Sequence, residues 1–213
     1  MSSSILAIGT SVPENAIDQS KILDFMAVSH DLDAREKREL KVLYRATGIK
    51  KRHSVIPDYS YSNRDKWCFY PKNGIDTPST KQRGEIYRSN AIKLATQATH
   101  RALKKSQIDK SEITHLITVS CTGMYAPGLD FDLINTLDLD KNTERTAINF
   151  MGCYAAITGL KQANYIAKTN KKSIVLVVCV ELCTIHFQNQ KTEDNLLANA
   201  IFSDGAAAML VGD

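Results

Sequence analysis

The sequence shows no long apolar run, and no signal peptide is visible in it. Nowhere in its 213 residues is there a stretch approaching the ~18 apolar residues that a membrane-spanning helix needs. The N-terminus, Met-Ser-Ser-Ser-Ile-Leu, lacks the basic segment and long apolar run of a signal peptide. We therefore expect neither a membrane partner nor export, and a reducing cytosol is the simplest compartment.

The sequence also lacks a cysteine pattern suited to disulfides or metal. The number of cysteines, five, is odd, and no two of them have the C-x-x-C spacing of zinc and redox sites. We therefore expect no disulfide framework and no metal site. The five are Cys68, Cys121, Cys153, Cys179 and Cys183.

A large excess of charge is absent as well. Lys and Arg total 27 against 23 for Asp and Glu, and the net charge of +4 is too small to predict nucleic-acid binding. Hydrophobic residues make up 43% of the chain, enough for a core, and 23% charged residues argue against disorder. There is no short-period repeat, low-complexity segment or Gly/Ser linker.

Strand-type and helix-type segments alternate, most regularly in the second half. Residues 173–180 form an uninterrupted apolar run, typical of a strand that is covered on both faces. This alternation predicts an α/β fold with a largely parallel sheet. Strands are predicted over 5–9, 49–56, 114–120, 146–151, 173–180 and 206–211, helices over 18–28, 33–47, 81–106, 129–137, 153–169 and 195–202, and an irregular excursion over 57–80.

Cys153 lies where a predicted strand passes into a predicted helix. The apolar β-type run reaches Gly152, and helix-type sequence follows. Free backbone N–H groups and the helix dipole at such a position favour the thiolate, which is the nucleophilic form. The position therefore predicts a nucleophile for covalent acyl chemistry. The alternative is a buried cysteine that fills space between strand and helix.

Four segments form a specific set by their order and spacing. They are Cys121-Thr-Gly-Met-Tyr-Ala-Pro-Gly128, Gly152-Cys-Tyr-Ala-Ala156, Val177-Val-Cys-Val-Glu-Leu-Cys-Thr-Ile-His-Phe-Gln188 and Ala200-Ile-Phe-Ser-Asp-Gly-Ala-Ala-Ala208. The set resembles the N-terminal half of type III polyketide synthases, the chalcone and stilbene synthase family of thiolase-fold condensing enzymes. The resemblance covers nearly all of residues 1–213. It implies the first half of a thiolase-like layered α/β fold, with a mixed, mostly parallel sheet covered by helices.

The resemblance implies an acyltransferase that builds carbon chains. A starter acyl group would pass from coenzyme A to Cys153, and malonyl-CoA would extend it by decarboxylative Claisen condensation. Attack of a thiolate on a thioester gives another thioester, so little free energy is lost in loading. Decarboxylation produces a carbanion whose enolate oxygen needs hydrogen-bond donors. Acyl-CoA and malonyl-CoA are thus the expected partners, with no permanently bound cofactor.

The family completes its catalytic triad with a His and an Asn from the C-terminal half. His30, His53, His100 and His115 stand in segments that do not match the family's His motif, so the chain resembles half of an enzyme and is expected to be a fragment. A half-fold would expose the apolar face that a second half covers. It should therefore be poorly soluble alone, or paired with itself or a partner.

The resemblance also implies a set of substrate-binding residues. Phe202 matches a residue that guards the junction of the coenzyme A tunnel and the cavity, and its alternative is ordinary core. Cys183 and His186 match cavity-lining positions that are often Thr in plant enzymes, and Cys183 could instead be inert core. Cys121, which is Thr in plant members, and Thr122 match a polar pair near the nucleophile.

Two further expectations concern coenzyme A and the dimer. The family binds the phosphates of coenzyme A with Lys and Arg of this region, so the resemblance implies this role for Lys41 and Arg45. The alternative is a solvated helix face. Ala126 matches a Met that crosses the dimer interface, so a homodimer is expected from the family. The basic stretch as a whole comprises Arg35, Lys37, Arg38, Lys41, Arg45, Lys50, Lys51 and Arg52.

Two other functions remain open at this stage. One is a β-ketoacyl-ACP synthase III-like enzyme, which would prefer a carrier protein over coenzyme A as donor of the extender. The other is a non-catalytic half that serves as a dimerisation or binding module, which the missing His and Asn favour.

Overall fold

The computed structural model describes residues 2–73 and 76–213, so Gly74 and Ile75 of the predicted excursion, and Met1, lie outside the described residues. The helices are α1 (Gln19–Ser29), α2 (Ala34–Ala46), α3 (Thr80–Ser106), α4 (Leu129–Leu137), α5 (Ala155–Thr169) and α6 (Glu193–Ile201). The strands are β1 (Ser4–Ser11), β2 (Ala16–Asp18), β3 (Lys51–His53), β4 (Ile113–Ser120), β5 (Glu144–Asn149), β6 (Ile174–Leu182) and β7 (Asp204–Gly212).

The chain divides into two compact units, each assembled from segments that are distant in sequence. Unit 1 consists of Met1–Val12, Gly84–Glu181 and Gly205–Asp213. Unit 2 consists of Pro13–Arg83 and Leu182–Asp204.

A five-stranded sheet with the order β1-β7-β6-β4-β5 forms the centre of unit 1. Strand β4 pairs in parallel with both β5 and β6, whereas β1 pairs with β7 in antiparallel fashion. From Val175 to Val178 every residue of β6 is fully buried, as expected of a strand covered on both faces. The prediction of a mixed, mostly parallel α/β sheet covered by helices is confirmed.

Helix α5 packs tightly against this sheet. A Cβ atom on Gly159 would lie 3.2 Å from Val119 and 3.3 Å from Val177, closer than most side-chain contacts. The absence of a side chain on Gly159 therefore lets the helix approach β4 and β6. Ala163 and Ala167 continue the same face of the helix into the core.

Unit 2 has a different core, built mainly from aromatic rings. Phe25 of α1 stacks on Tyr59 with ring centroids 4.6 Å apart, and Trp67, Tyr70 and Phe187 surround it within 6 Å. Rings at these distances gain stabilisation beyond the burial of their area. They fix the irregular chain after β3, which contains two short 3₁₀ turns, Pro57–Ser60 and Arg64–Lys66.

Two short strands are where sequence and structure differ most. The strand predicted over 49–56 is limited to β3, Lys51–His53. Its antiparallel partner β2, Ala16–Asp18, was not predicted at all. Both differences have the same cause: a three-residue ladder provides only three paired positions and leaves no periodic pattern in the sequence.

Within the described residues, no helix is both long and apolar enough to cross a bilayer.

Candidate active site

Cys153 lies in a tight turn between β5 and α5, as predicted. The chain takes left-handed backbone angles at Phe150 (φ 58°) and Gly152 (φ 64°), and then forms the 3₁₀ turn Gly152–Tyr154 before α5 begins. Nothing lies within 4 Å of where a Cβ on Gly152 would be, so glycine is favoured here by its backbone conformation and not by space. The turn holds the thiol at the start of the helix.

The Cys153 side chain is exposed, so the alternative of a buried, space-filling cysteine does not apply in this structure. Large apolar side chains on the same segment are exposed too, which agrees with the expectation of an uncovered apolar face. They are Phe150, Met151, Tyr154 and Ile157.

Cys121 and Thr122 lie beside this turn, at the same edge of the sheet. They follow β4 directly, and β4 is parallel to both β5 and β6, so the carboxyl ends of all three strands meet there. The sulfur of Cys121 lies 3.6 Å from the carbonyl oxygen of Gly152, the residue before Cys153. The structure therefore brings together Cys121 and the backbone of the predicted nucleophile.

Glu181 is a site residue that the sequence reasoning missed. Its carboxylate accepts hydrogen bonds from the backbone N–H of Cys121 at 2.9 and 3.1 Å and from that of Thr122 at 3.0 Å. The hydroxyl of Thr122 donates to it at 2.6 Å. These hydrogen bonds from two successive residues tie the loop after β4 to β6. The available signal was a single acidic residue inside the apolar run of β6.

Cys183 and His186 occupy one 3₁₀ turn, Cys183–His186, in unit 2. Both are half-buried. Thr184, between them, donates to Asp204 from its hydroxyl at 2.6 Å and from its backbone N–H at 2.8 Å. Asp204 also accepts from the backbone N–H of Val55 at 2.8 Å. Burial raises the pKa of the Asp204 carboxyl, while these hydrogen bonds oppose the rise.

Phe202 follows α6 directly and is 49% exposed, so it does not belong to the buried core of this structure. Its carbonyl accepts from the buried guanidinium of Arg52 at 2.8 Å, and the carbonyl of Asn199 accepts from the same nitrogen at 2.7 Å. The Arg52 Nε also donates to Gln19 at 2.8 Å. Arg52 thus binds the negative end of α6, and this member of the basic stretch is not available to a phosphate.

Lys41 and Arg45 are both exposed and lie one turn apart on α2. The helical period places them on a different side of α2 from Glu39 and Leu43. Glu39 and Leu43 line a groove of about 450 Å³, and Leu196 and Leu197 of α6 also contribute to its walls. The candidate phosphate-binding residues and this apolar groove therefore occupy different sides of α2.

A second cavity, of about 150 Å³, lies in unit 1 beside the loop that follows β4. Its walls include Tyr87, Ser120, Tyr125 and Asn149, and the Tyr87 hydroxyl donates to the Ser120 hydroxyl at 2.7 Å.

Among the residues that the structure describes, no three His, Cys, Asp or Glu side chains form a group that could hold a metal ion.

The sequence matches the family described as chalcone and stilbene synthases, N-terminal domain, over residues 2–213. The fold and this match together show that the chain belongs to that family, which makes it a member of the type III polyketide synthases.

Individual relatives agree with this assignment. The chain is 34% identical over 211 residues to "Probable polyketide synthase 1" of Dictyostelium discoideum, an alignment that covers 98% of this chain and 6% of that protein. It is similar to the crystal structure of the C-terminal type III polyketide synthase domain of Steely1, a type I/III hybrid from Dictyostelium (TM-score 0.87, 34% identity). It is also similar to PKS-I of the brown alga Ectocarpus siliculosus (TM-score 0.90, 29% identity).

The chain spans only part of each relative. It is covered completely by the match to the Steely1 domain and to 99% by the algal structure, yet it accounts for 56% of each of those two chains.

Proposed function

We propose that Cys153 is the acyl-accepting nucleophile of a type III polyketide synthase. The observation that carries the proposal is the exposed thiol on the left-handed turn between β5 and the start of α5, in a chain of this family. A helix start presents unpaired N–H groups to an anion, and an exposed thiol can be reached by a thioester.

The loading step follows from thiol chemistry. The Cys153 thiolate attacks the carbonyl carbon of an acyl-CoA, an S–C bond forms, and the bond to the coenzyme A sulfur breaks. Coenzyme A leaves as its thiolate and takes up a proton from solvent. The acyl group is held on the enzyme as a thioester, ready to react with a carbanion.

The extension step needs more than this chain's matched motifs contain. Decarboxylation of malonyl-CoA requires hydrogen-bond donors at the enolate oxygen, and the family uses a His and an Asn for them. We assign these donors to the part of the condensing fold that lies outside the 56% shared with the solved structures. The chain would then be one part of the complete acyltransferase.

The other predicted residues take supporting roles in this proposal. Cys183, His186 and Phe202 would line the acyl cavity and its entrance, and Cys121 and Thr122 would flank the nucleophile. Lys41 and Arg45 would meet the phosphates of coenzyme A, with no cofactor bound permanently. The enzyme would act as a cytosolic homodimer, with Ala126 at the dimer interface.

Acyl loading is tested on the full chain with acetyl-CoA and hexanoyl-CoA, followed by tryptic mass mapping. Cys153 lies on the peptide 146–161, which contains no other cysteine. We expect the acyl mass on that peptide, its loss in Cys153→Ser, and its retention in Cys179→Ser. A brief treatment with iodoacetamide should also modify Cys153 well before the other four cysteines. Equal modification of all five thiols, or none at Cys153, would contradict the proposal.

A further inference from the structure

The two cysteines at the edge of the unit 1 sheet are close neighbours. The Cys121 sulfur lies 3.6 Å from the Gly152 carbonyl oxygen, and the carbon of that carbonyl is bonded to the backbone nitrogen of Cys153. With standard peptide bond lengths, the Cys121 sulfur is therefore at most about 6.5 Å from the Cα atom of Cys153. The peptide group between Gly152 and Cys153 thus connects the atom that the Cys121 sulfur contacts with the Cα atom of Cys153.

The backbone on both sides of this pair is constrained. Glu181 holds Cys121 and Thr122 through backbone hydrogen bonds of 2.9 to 3.1 Å. Cys153 is held by the turn between β5 and α5. The side chains can rotate about their Cα–Cβ bonds while the main chain stays in place. The distance between the two sulfur atoms is therefore set by side-chain rotation.

The remaining cysteines are placed differently. Cys68 and Cys183 belong to unit 2. Cys179 lies on β6 and packs against the core of unit 1, where burial raises the pKa of its thiol to about 11. It therefore stays a thiol at neutral pH and reacts slowly with oxidants. Cys121, by contrast, is half-buried and Cys153 is exposed.

We propose that Cys121 is a resolving thiol that forms a reversible disulfide with Cys153. Hydrogen peroxide oxidises the Cys153 thiolate to a sulfenic acid, and the peroxide is reduced to hydroxide, which a proton converts to water. The Cys121 sulfur then attacks the sulfenic sulfur, the S–S bond forms, and the hydroxyl leaves as a second water. A dithiol such as dithiothreitol restores both thiols by exchange.

This disulfide adds a function to the site beyond acyl transfer. It removes the free thiol that loading requires, so the oxidised enzyme is inactive in acyl transfer. It also protects the nucleophile, because a disulfide is reversible whereas oxidation to the sulfinic acid is not reversed by thiols. The loss of acyl transfer rests on the proposed function of Cys153. Formation of the disulfide depends only on the positions of Cys121 and Cys153.

The experiment treats the full chain with one equivalent of hydrogen peroxide, blocks free thiols and maps tryptic peptides. Cys121 lies on the peptide 111–141 and Cys153 on 146–161, each without another cysteine. We expect these two peptides to be linked, the intact mass measured before blocking to fall by about 2 Da, and dithiothreitol to reverse both changes. Cys121→Ser should abolish the link, and a second equivalent of peroxide should then carry its Cys153 sulfenic acid on to sulfinic acid. The control Cys179→Ser should leave the link unchanged.

A second oxidant separates this inference from the proposed function. Diamide, a diazene that is reduced to a hydrazine, joins neighbouring thiols without a sulfenic acid. A 111–141 to 146–161 link with diamide but no peroxide reaction at Cys153 supports the disulfide and counts against the nucleophile. Cys153 that accepts acyl groups and reacts with peroxide, but is linked to Cys121 by neither oxidant, overturns the disulfide. So does wild-type Cys153 reaching sulfinic acid as fast as in Cys121→Ser.

Discussion

At the scale of single residues, Thr184 shows how a buried turn is fixed. Its hydroxyl and N–H donate to Asp204, and the hydroxyl also lies 2.8 Å from that of Ser54. Its carbonyl accepts from the hydroxyls of Tyr59, at 3.2 Å, and Tyr70. Low local dielectric strengthens such a network but makes each missing partner costly. The segment that carries Cys183 and His186 is thus held by its buried middle residue.

Replacement of Thr184 by valine should therefore destabilise the chain by about 1–3 kcal/mol, because the Asp204 carboxylate loses a buried donor. The matched control Thr184→Ser keeps the hydroxyl and loses one methyl group, for which we expect about 1 kcal/mol. Urea unfolding of both variants measures the difference. Unchanged stability of Thr184→Val would show that the hydroxyl bond to Asp204 contributes nothing.

At the scale of elements, α2 shows how a local signal sets a helix start. Asp33 accepts from the backbone N–H groups of Arg35 and Glu36 at 2.7 and 2.8 Å, and Glu36 accepts from the N–H of Asp33 at 2.8 Å. This reciprocal capping box satisfies N–H groups that have no partner inside the helix. The helix was predicted from Asp33 onward and is observed over Ala34–Ala46.

The capping box should make the start of α2 sensitive to acid. Backbone hydrogen bonds lower the pKa of both the Asp33 and Glu36 carboxyls. A lowered folded-state pKa means that the stabilisation is present above the ordinary carboxyl range and is lost as pH falls through the lowered values, below about pH 4. Hydrogen-exchange protection of the Arg35 and Glu36 amides should fall over that range.

Asp33→Asn is the control for this effect, because asparagine also caps helices but does not titrate. We expect the variant to keep protection of the Arg35 amide in acid to a greater extent than the wild type. Loss of protection at the same pH in both proteins would mean that titration of Asp33 is not the cause.

At the scale of the whole molecule, β6 lies at the centre of the unit 1 sheet. Leu176 is fully buried and stands opposite Leu116 of β4. Leu176→Ala should therefore cost about 2–5 kcal/mol, since the cavity it leaves cannot collapse within a packed sheet. The urea midpoint is the measurement. Met124→Ala, at a position that is 62% exposed, should change stability by less than about 0.5 kcal/mol; similar losses in the two variants would contradict this placement of the core.

The elements with long periodic or apolar sequence were predicted nearly in full. β6 was expected over 173–180 and spans Ile174–Leu182, and α4 has the predicted bounds Leu129–Leu137. β2 was missed, because three residues carry too little local preference and its existence depends on pairing with β3. Arg52 appeared as one of several basic residues, yet its burial depends on the end of α6, some 150 positions away.

The sequence by itself determined the family, the α/β alternation and the place of Cys153 between strand and helix, because these depend on local patterns and on motifs in a fixed order. Only the tertiary structure decided that Glu181 holds the Cys121 loop and that the Cys121 thiol faces the carbonyl before Cys153. These residues are 60 and 31 positions apart. They meet because β4 pairs in parallel with both β5 and β6, which brings the ends of three separate strands to one edge.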